Sequence, residues 1–419
     1  MRITYISIYM SIGLLLCLQP FYANAVTLKQ AMDRAVEAHP RLAISNAQID
    51  VAQDEFSELS AYAYNPELSV EPQRRQLNAG GTSNDYYVSL SQEVELAGKQ
   101  AYRTASAHAS SQAVSLSSEM LRQKIKIDVA KALVELYFSQ KELAWRNQQA
   151  ITLRALNRSI ARQLEVGEAN QLDMNLSRSS LKQTIHAEAQ SKMQYSMHLY
   201  KYFMAAGKRA DMNTIQAELP ELSLDWKPSS DPVEIAMDSR LDIAVKQQRL
   251  NKFSSDVNLA KANKLPDMKV GFMAGREAGE QIYSLALTMP IPVLNSHNGA
   301  YRAALSQRSA QQAEFRWLKQ QVKFEVDHAL HRHDIAINAI EAANQTDGEI
   351  SAGSQDTITL ARMAFDAGEL DVEELVVHIN QALESRINSA AILKQGWLAR
   401  IHLAAVLGHP EYIYEGNRQ

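Results

Sequence analysis

Cysteine is all but missing. The one cysteine, Cys17, lies within the first 25 residues, so a chain cleaved after Ala25 carries none. Disulfides and thiolate chemistry are thereby excluded from the mature part. Leu16, directly before Cys17, is not the small residue that lipid attachment requires. Glycine is sparse (16 residues), and after the first 25 residues no segment reaches the roughly 18 consecutive apolar residues of a membrane helix. A chain like this enters a membrane only as strands. An excess of one charge is absent too: 43 Lys and Arg stand against 47 Asp and Glu, a net charge of −4, which argues against a nucleic-acid partner. No G-x-S-x-G, H-E-x-x-H or phosphate-cradling glycine loop occurs, so neither an enzyme nor a resident cofactor or metal is expected.

What is present begins with targeting. Arg2, an apolar stretch over residues 3–18 and the small-x-small run Ala23-Asn24-Ala25 read as a secretory signal peptide, residues 1–25. The remainder is duplicated. Asn65-Pro66-Glu67-Leu68-Ser69-Val70 matches Leu265-Pro266-Asp267-Met268-Lys269-Val270, and Val88-Ser89-Leu90-Ser91 matches Leu285-Ala286-Leu287-Thr288. Ala101-Tyr102-Arg103 matches Ala300-Tyr301-Arg302, Val166-Gly167-Glu168 matches Ala367-Gly368-Glu369, and Gly207 matches Gly408. The spacing stays near 200 throughout, the mark of two structural repeats. The first is expected over residues 26–218, with a β-hairpin at 65–96 and a break at 167–170. After a linker at 219–231, the second covers 232–410, with a hairpin at 265–293 and a break at 368–371. Residues 411–419 form a tail.

Each repeat reads helix, strand, strand, very long helix, break, helix. Thr27 is the expected N-cap of the first helix and Pro40 its kink; Asp231-Pro232 opens the counterpart. In the strands, Leu68, Val70, Val88, Leu90, Met268, Val270, Phe272, Leu285 and Leu287 alternate with mostly polar or small residues, the period of two that separates two media. Polar loops are expected at 72–85 and 274–281. Proline-free helices follow, at about 97–165 and 300–366, with a bend expected near Gly348 and Gly353. Nearly 70 residues make a rod of roughly 100 Å. Two shorter helices, at 28–63 and 170–206, together match that length and can stack end to end beside it. Four strands cannot close a barrel, and an open edge in lipid leaves backbone groups unpaired at several kcal/mol each. The chain is therefore expected to associate with copies of itself.

The paired breaks, Glu165-Val166-Gly167-Glu168-Ala169-Asn170-Gln171-Leu172-Asp173 and Asp366-Ala367-Gly368-Glu369-Leu370-Asp371-Val372-Glu373-Glu374, resemble the repeated tip motif of the TolC family of outer-membrane efflux proteins. So do the helix ends Phe203-Met204-Ala205-Ala206-Gly207 and Ala404-Ala405-Val406-Leu407-Gly408. Asn65-Pro66, Pro290-Ile291-Pro292 and Gly408-His409-Pro410 look most like the branch serving cobalt–zinc–cadmium-type heavy-metal RND efflux. The resemblance implies a mainly α fold with a small β part. As a homotrimer, it implies a 12-stranded transmembrane β-barrel continued by a periplasmic α-helical barrel. It also implies a periplasmic membrane-fusion adaptor, an inner-membrane RND pump and outer-membrane lipid as partners.

On that resemblance the adaptor-contacting tips are Val166, Gly167, Glu168, Ala169 and Asn170, with Ala367, Gly368, Glu369, Leu370 and Asp371. Gly167 and Gly368 are expected to end the long helices with φ > 0, and Asn170 and Asp371 to cap the next ones, with Asp173 and Glu374 in capping-box positions. The family's acidic periplasmic constriction points to Glu374, with Glu373, and to Asp173 at the same spacing in the first repeat. Glu67, Glu71, Glu93 and Glu95, moderated by Lys269, are candidates for a cation-favouring barrel lumen. His328, His331 and His333 read as a solvated helix face rather than a metal site. Two rival readings remain: the same duct serving drug efflux or type I protein secretion, and a periplasmic coiled-coil scaffold or adaptor.

Overall fold

The computed structural model describes residues 26–76, 80–208, 217–347 and 353–414. The expected signal peptide, the glycine at 348 and the last five residues lie outside them. The chain runs β1 (Val26–Thr27), α1 (Leu28–Ala38), α2 (Pro40–Ser60), β2 (Glu67–Gln76), β3 (Thr82–Val94), α3 (Lys99–Val166) and α4 (Gln171–Ala206). The second repeat follows as β4 (Ala217–Glu218), α5 (Pro232–Ser239), α6 (Leu241–Ala262), β5 (Met268–Glu277), β6 (Glu280–Thr288), α7 (Asn298–Asp347), α8 (Gly353–Asp366) and α9 (Val372–Leu407). A short 3₁₀ turn, Pro410–Ile413, ends it.

Local chemistry accounts for the boundaries. Thr27 and Gln30 form a capping box at the start of α1, and His39-Pro40 separates α1 from α2. Asp231 caps α5 through the Val233 N–H at 3.0 Å. With no proline inside it, α3 runs unbroken for 68 residues, about 100 Å.

The end-to-end stacking is realised in both repeats at a glycine. Gly207 closes α4 with φ +70, and a Cβ there would lie 2.7 Å from Pro40 Cδ, at the start of α2. Gly408 closes α9 with φ +77, and a Cβ there would lie 3.1 Å from backbone atoms of Ser239, the residue that ends α5 just before Arg240 and α6. Two interrupted rods, α4 on α2 and α9 on α6, thus flank α3, with α7 and α8 beyond α6 and α9.

The sheet repeats that order. Its strands lie β2-β3-β5-β6, all antiparallel, and each continues into one rod: β2 follows α2, β3 leads into α3, β5 follows α6 and β6 leads into α7. Sheet and rods therefore share the same two open sides, β2 with α2 and α4 at one and β6 with α7 and α8 at the other. A separate parallel pair, β1 with β4, ties the start of the first repeat to the chain entering the second.

Two expectations need correction. Residues 72–76 and 82–85 are strand rather than loop, as are most of 274–281. Backbone ladders do not require apolar side chains, and Arg75, 3.2 Å from Asp85 and ion-paired with Glu277, holds the hairpin ends together. Only a two-residue turn, Ala278-Gly279 with φ +49 and +93, joins β5 to β6. The segment 219–231, which carries no helix or strand, packs on the rest of the chain, with Leu222 buried in the main core and Trp226 against Arg400. The tail begins later than residue 411, because Ile413 is only 2% exposed.

Candidate functional site

The sheet has its faces reversed relative to a soluble protein. Register places Leu68, Leu90, Phe272 and Leu285 in one cross-strand row, and Val70, Val88, Ala274 and Tyr283 in another. Gln92, Val270 and Leu287 form a third. All three rows lie on one face, and their large apolar members are mostly exposed, Leu285 by 72% and Leu68 by 69%. The opposite face carries Glu67, Ser69, Glu71, Ser89, Ser91, Glu93, Lys269 and Thr288. Along β3 this polar face is the more sheltered one, so the sheet curls around it. An apolar convex face and a polar concave face fit a barrel segment with lipid outside and water inside.

Four of the five lumen candidates, Glu67, Glu71, Glu93 and Lys269, share the concave face. Lys269 is ion-paired with Glu67. Glu95 departs from the expectation. It lies beyond the end of β3, its side chain is only 6% exposed, and Arg103 holds both its oxygens, at 2.6 and 3.0 Å. Its role is at the joint between sheet and rods. In the same joint Asp267 accepts the Leu96 N–H (2.9 Å) and pairs with Lys99 (2.7 Å) in a nearly buried bridge. Sequence reasoning missed Asp267, Lys99, Arg103 and the Arg75–Asp85–Glu277 clasp. The signal available was that charged residues stand at both ends of the strand pairs.

The two breaks have one geometry. In each, the glycine ends its helix in the left-handed region, with φ +80 at Gly167 and +78 at Gly368. The Glu168 N–H donates to Gln163 and the Glu369 N–H to Ala364, both at 2.8 Å, completing Schellman motifs. Asn170 and Asp371 accept the N–H groups of Asp173 (2.9 Å) and Glu374 (2.8 Å), whose carboxylates accept back at 3.1 and 3.2 Å. The capping boxes are thus formed, and each engages one oxygen of the carboxylates expected at a constriction. Glu373 is exposed in the first turn of α9. The structure brings the tips together: Leu156, Ile160 and Met174 of one share an apolar cluster with Val372, Leu375 and Ile379 of the other.

The histidines divide. His328 and His331 are exposed, but His333 is buried, contrary to the solvated-face reading, because two residues along a helix turn it away from His331. Its Nε2 accepts from Arg400 Nε at 3.0 Å. Arg400, 1% exposed, also donates to the Ser223 carbonyl (2.9 Å) and lies 4.1 Å over the Trp226 ring. Burial and then the adjacent Arg400 charge push His333 down to about 4, and burial lowers Arg400 to about 10. Among the described residues no group of three or more His, Cys, Asp or Glu is placed to hold a metal.

Comparison with known proteins agrees with this architecture. A sequence model of the family described as Outer membrane efflux protein matches residues 233–409. The fold is similar to a membrane protein from Pseudomonas aeruginosa, with 17% identity, coverage of 91% of this chain and 92% of that one, and a TM-score of 0.76. It is also similar to the CmeC outer membrane channel of Campylobacter jejuni, at 14% identity, 91% and 85% coverage and a TM-score of 0.75. The open state of the MtrE outer membrane channel of Neisseria gonorrhoeae shares 15% identity, with 91% and 89% coverage and a TM-score of 0.72. No curated protein matches the chain in sequence.

Proposed function

We propose that this chain is one copy of a ring-shaped outer-membrane exit duct in a tripartite efflux system. One observation carries the reading: a four-stranded sheet, apolar on its convex face and polar on its concave face, with two unpaired edges. Antiparallel order makes β2 and β6 run in opposite directions, so β6 of one copy can pair with β2 of the next and the ring closes antiparallel throughout. Three copies give twelve strands and a lumen, whereas two give eight and an interior filled by side chains. The rods continue the ring into the periplasm, since their open sides coincide with those of the sheet. The match to the outer membrane efflux family and the likeness to outer membrane channels support the same reading. The duct does no chemistry of its own; the driving energy comes from an inner-membrane pump.

The tips at residues 166–170 and 367–371 meet a periplasmic adaptor. They are the rod ends farthest from the sheet, and Val166 and Leu172 stand 71% and 64% exposed there. Glu373 lines the periplasmic constriction, with Asp173 and Glu374 adding charge while they cap their helices. The cargo is a heavy-metal cation. Support comes from the concave face, where Glu67, Glu71, Asp85, Glu93 and Glu277 outnumber Lys269 and Arg75, a charge balance that favours cations. A deletion strain should lose resistance to zinc, cadmium, cobalt or copper and keep its resistance to organic dyes. Loss of dye resistance alone would replace the metal reading with drug efflux. Recovery of the protein in the soluble periplasm would remove the duct reading in favour of a scaffold.

A further inference from the structure

A ring built from this chain has two kinds of seam, β3 against β5 within a copy and β6 against β2 between copies. The internal duplication allows the second to be read from the first. In the first hairpin Val70 pairs with Val88; in the second Val270 pairs with Leu287. An offset of 200 from β2 to β5 therefore goes with 199 from β3 to β6 (287 less 88). The rods agree, since α3 begins at Lys99 and α7 at Asn298, again 199 apart. This differs by two from the offset that sequence similarity suggested for the strands.

The internal seam pairs Leu90 with Phe272, Gln92 with Val270 and Val94 with Met268. Transposed by these offsets, it pairs Met289 with Pro72, Ile291 with Val70 and Val293 with Leu68 of another copy. We propose that residues 289–293, which run past the end of β6, are the last part of a strand completed in this register by β2 of a second copy of this chain. The inference rests on the duct reading and adds the register and the residues of the joint.

Three observations support it. The segment carries apolar side chains with nothing on them: Ile291 is 79% exposed, Val293 82% and Leu294 100%. Gln92 and Val94, their counterparts in β3, are half-buried because β5 lies beside them. Second, Pro290 and Pro292 are two apart, so both missing N–H groups fall on one edge of the segment. The other edge keeps the donors of residues 289 and 291, while the Val293 N–H turns back onto the Ile291 carbonyl at 2.9 Å, a bond that pairing with β2 replaces. Third, the register sets Ile291 and Val293 against Val70 and Leu68, apolar beside apolar on the lipid side; a slip of one residue would reverse every face. The joint below it transposes as well. Asp267, which holds Leu96 N–H and Lys99, corresponds to Glu67, whose carboxylate in the next copy faces the Asn295 N–H and the Asn298 amide.

Cysteine pairing tests this directly, because the mature chain has no cysteine of its own. Val70→Cys with Ile291→Cys, and Glu71→Cys with Pro290→Cys, are placed in otherwise intact chains, isolated in outer membranes and oxidised with copper phenanthroline. The two pairs sample both spacings of an antiparallel ladder. Within one copy the partners lie on opposite edges of the sheet, roughly 14 Å apart, too far for a disulfide. Gln92→Cys with Val270→Cys, the equivalent pair inside the chain, calibrates the reaction.

The expected result is covalent dimers and trimers from at least one matched pair. They should form about tenfold faster than from Val70→Cys combined with Met289→Cys or Val293→Cys, where the partners are diagonal. Fastest linkage in a displaced pair overturns the register and leaves the duct reading standing. No linkage between copies in any pair, with the calibrating pair oxidised normally, overturns both.

Discussion

His333 and Arg400 break the duplication at a single point. At the offset of 199 that relates α7 to α3, His333 corresponds to Val134, and at the 201 that relates Gly408 to Gly207, Arg400 corresponds to Leu199; both are buried and apolar. The second repeat instead buries a guanidinium against a neutral imidazole, a carbonyl and an indole. A His depressed to about 4 binds its proton in the unfolded chain first, so the unfolded state holds more protons between about pH 4 and 6.5. The stability His333 contributes is therefore complete above about pH 6.5 and is lost as pH falls toward 4, by on the order of 3 kcal/mol. Melting followed by circular dichroism from pH 7 to pH 4 should show this slope. In the double variant His333→Val, Arg400→Leu, which restores the pattern of the first repeat, the slope should be much flatter. An unchanged slope would place the sensitivity elsewhere. Neither residue was legible as a core group in the sequence, because buried charge has no periodic signature and the pair is 67 positions apart.

The breaks and the rod faces belong to the scale of elements. Proline cannot adopt the positive φ of Gly167 or Gly368, so Gly167→Pro and Gly368→Pro should each cost about 3 kcal/mol or more locally and disorganise the shared tip cluster. Susceptibility should rise to that of the deletion strain while the barrel still assembles. Full resistance in both variants would contradict the assignment of the tips. Alanine separates two glycine roles. Gly167→Ala meets open space and carries only the strain of its backbone, about 1–2 kcal/mol. Gly207→Ala adds a clash with Pro40 and His39 and should lower the melting temperature further.

Helices, breaks and caps were legible because glycine at a left-handed position, Asx caps and an absence of proline are local signals. Strand ends were not. Gln73, Arg74, Arg75 and Gln76 are polar on both faces, and only pairing with residues 82–85 makes them strand. The joint of Asp267 with Lys99 was hidden for a similar reason, since its partners are 168 positions apart.

At the scale of the whole molecule, apolar side chains remain uncovered along both open sides. Ile44 and Val51 on α2, with Met193, Tyr200 and Met204 on α4, line one side, each at least 57% exposed. Trp317, Phe324 and Ile335 on α7, with Leu360 and Met363 on α8, line the other, each at least 56% exposed. Large exposed apolar stripes of this kind mark interaction surfaces. Trp317→Glu should leave the helix content of the chain unchanged while reducing assembly, read as the ratio of oligomer to monomer in mild detergent. An unaltered ratio would show that α7 does not face another copy.

The central claim, that copies of this chain close each other's sheet edges in a bilayer, is most directly tested by native mass spectrometry of the protein extracted from outer membranes. The account predicts a particle of three mature chains that needs detergent to stay in solution. A single chain, freely soluble in water without detergent, would contradict it.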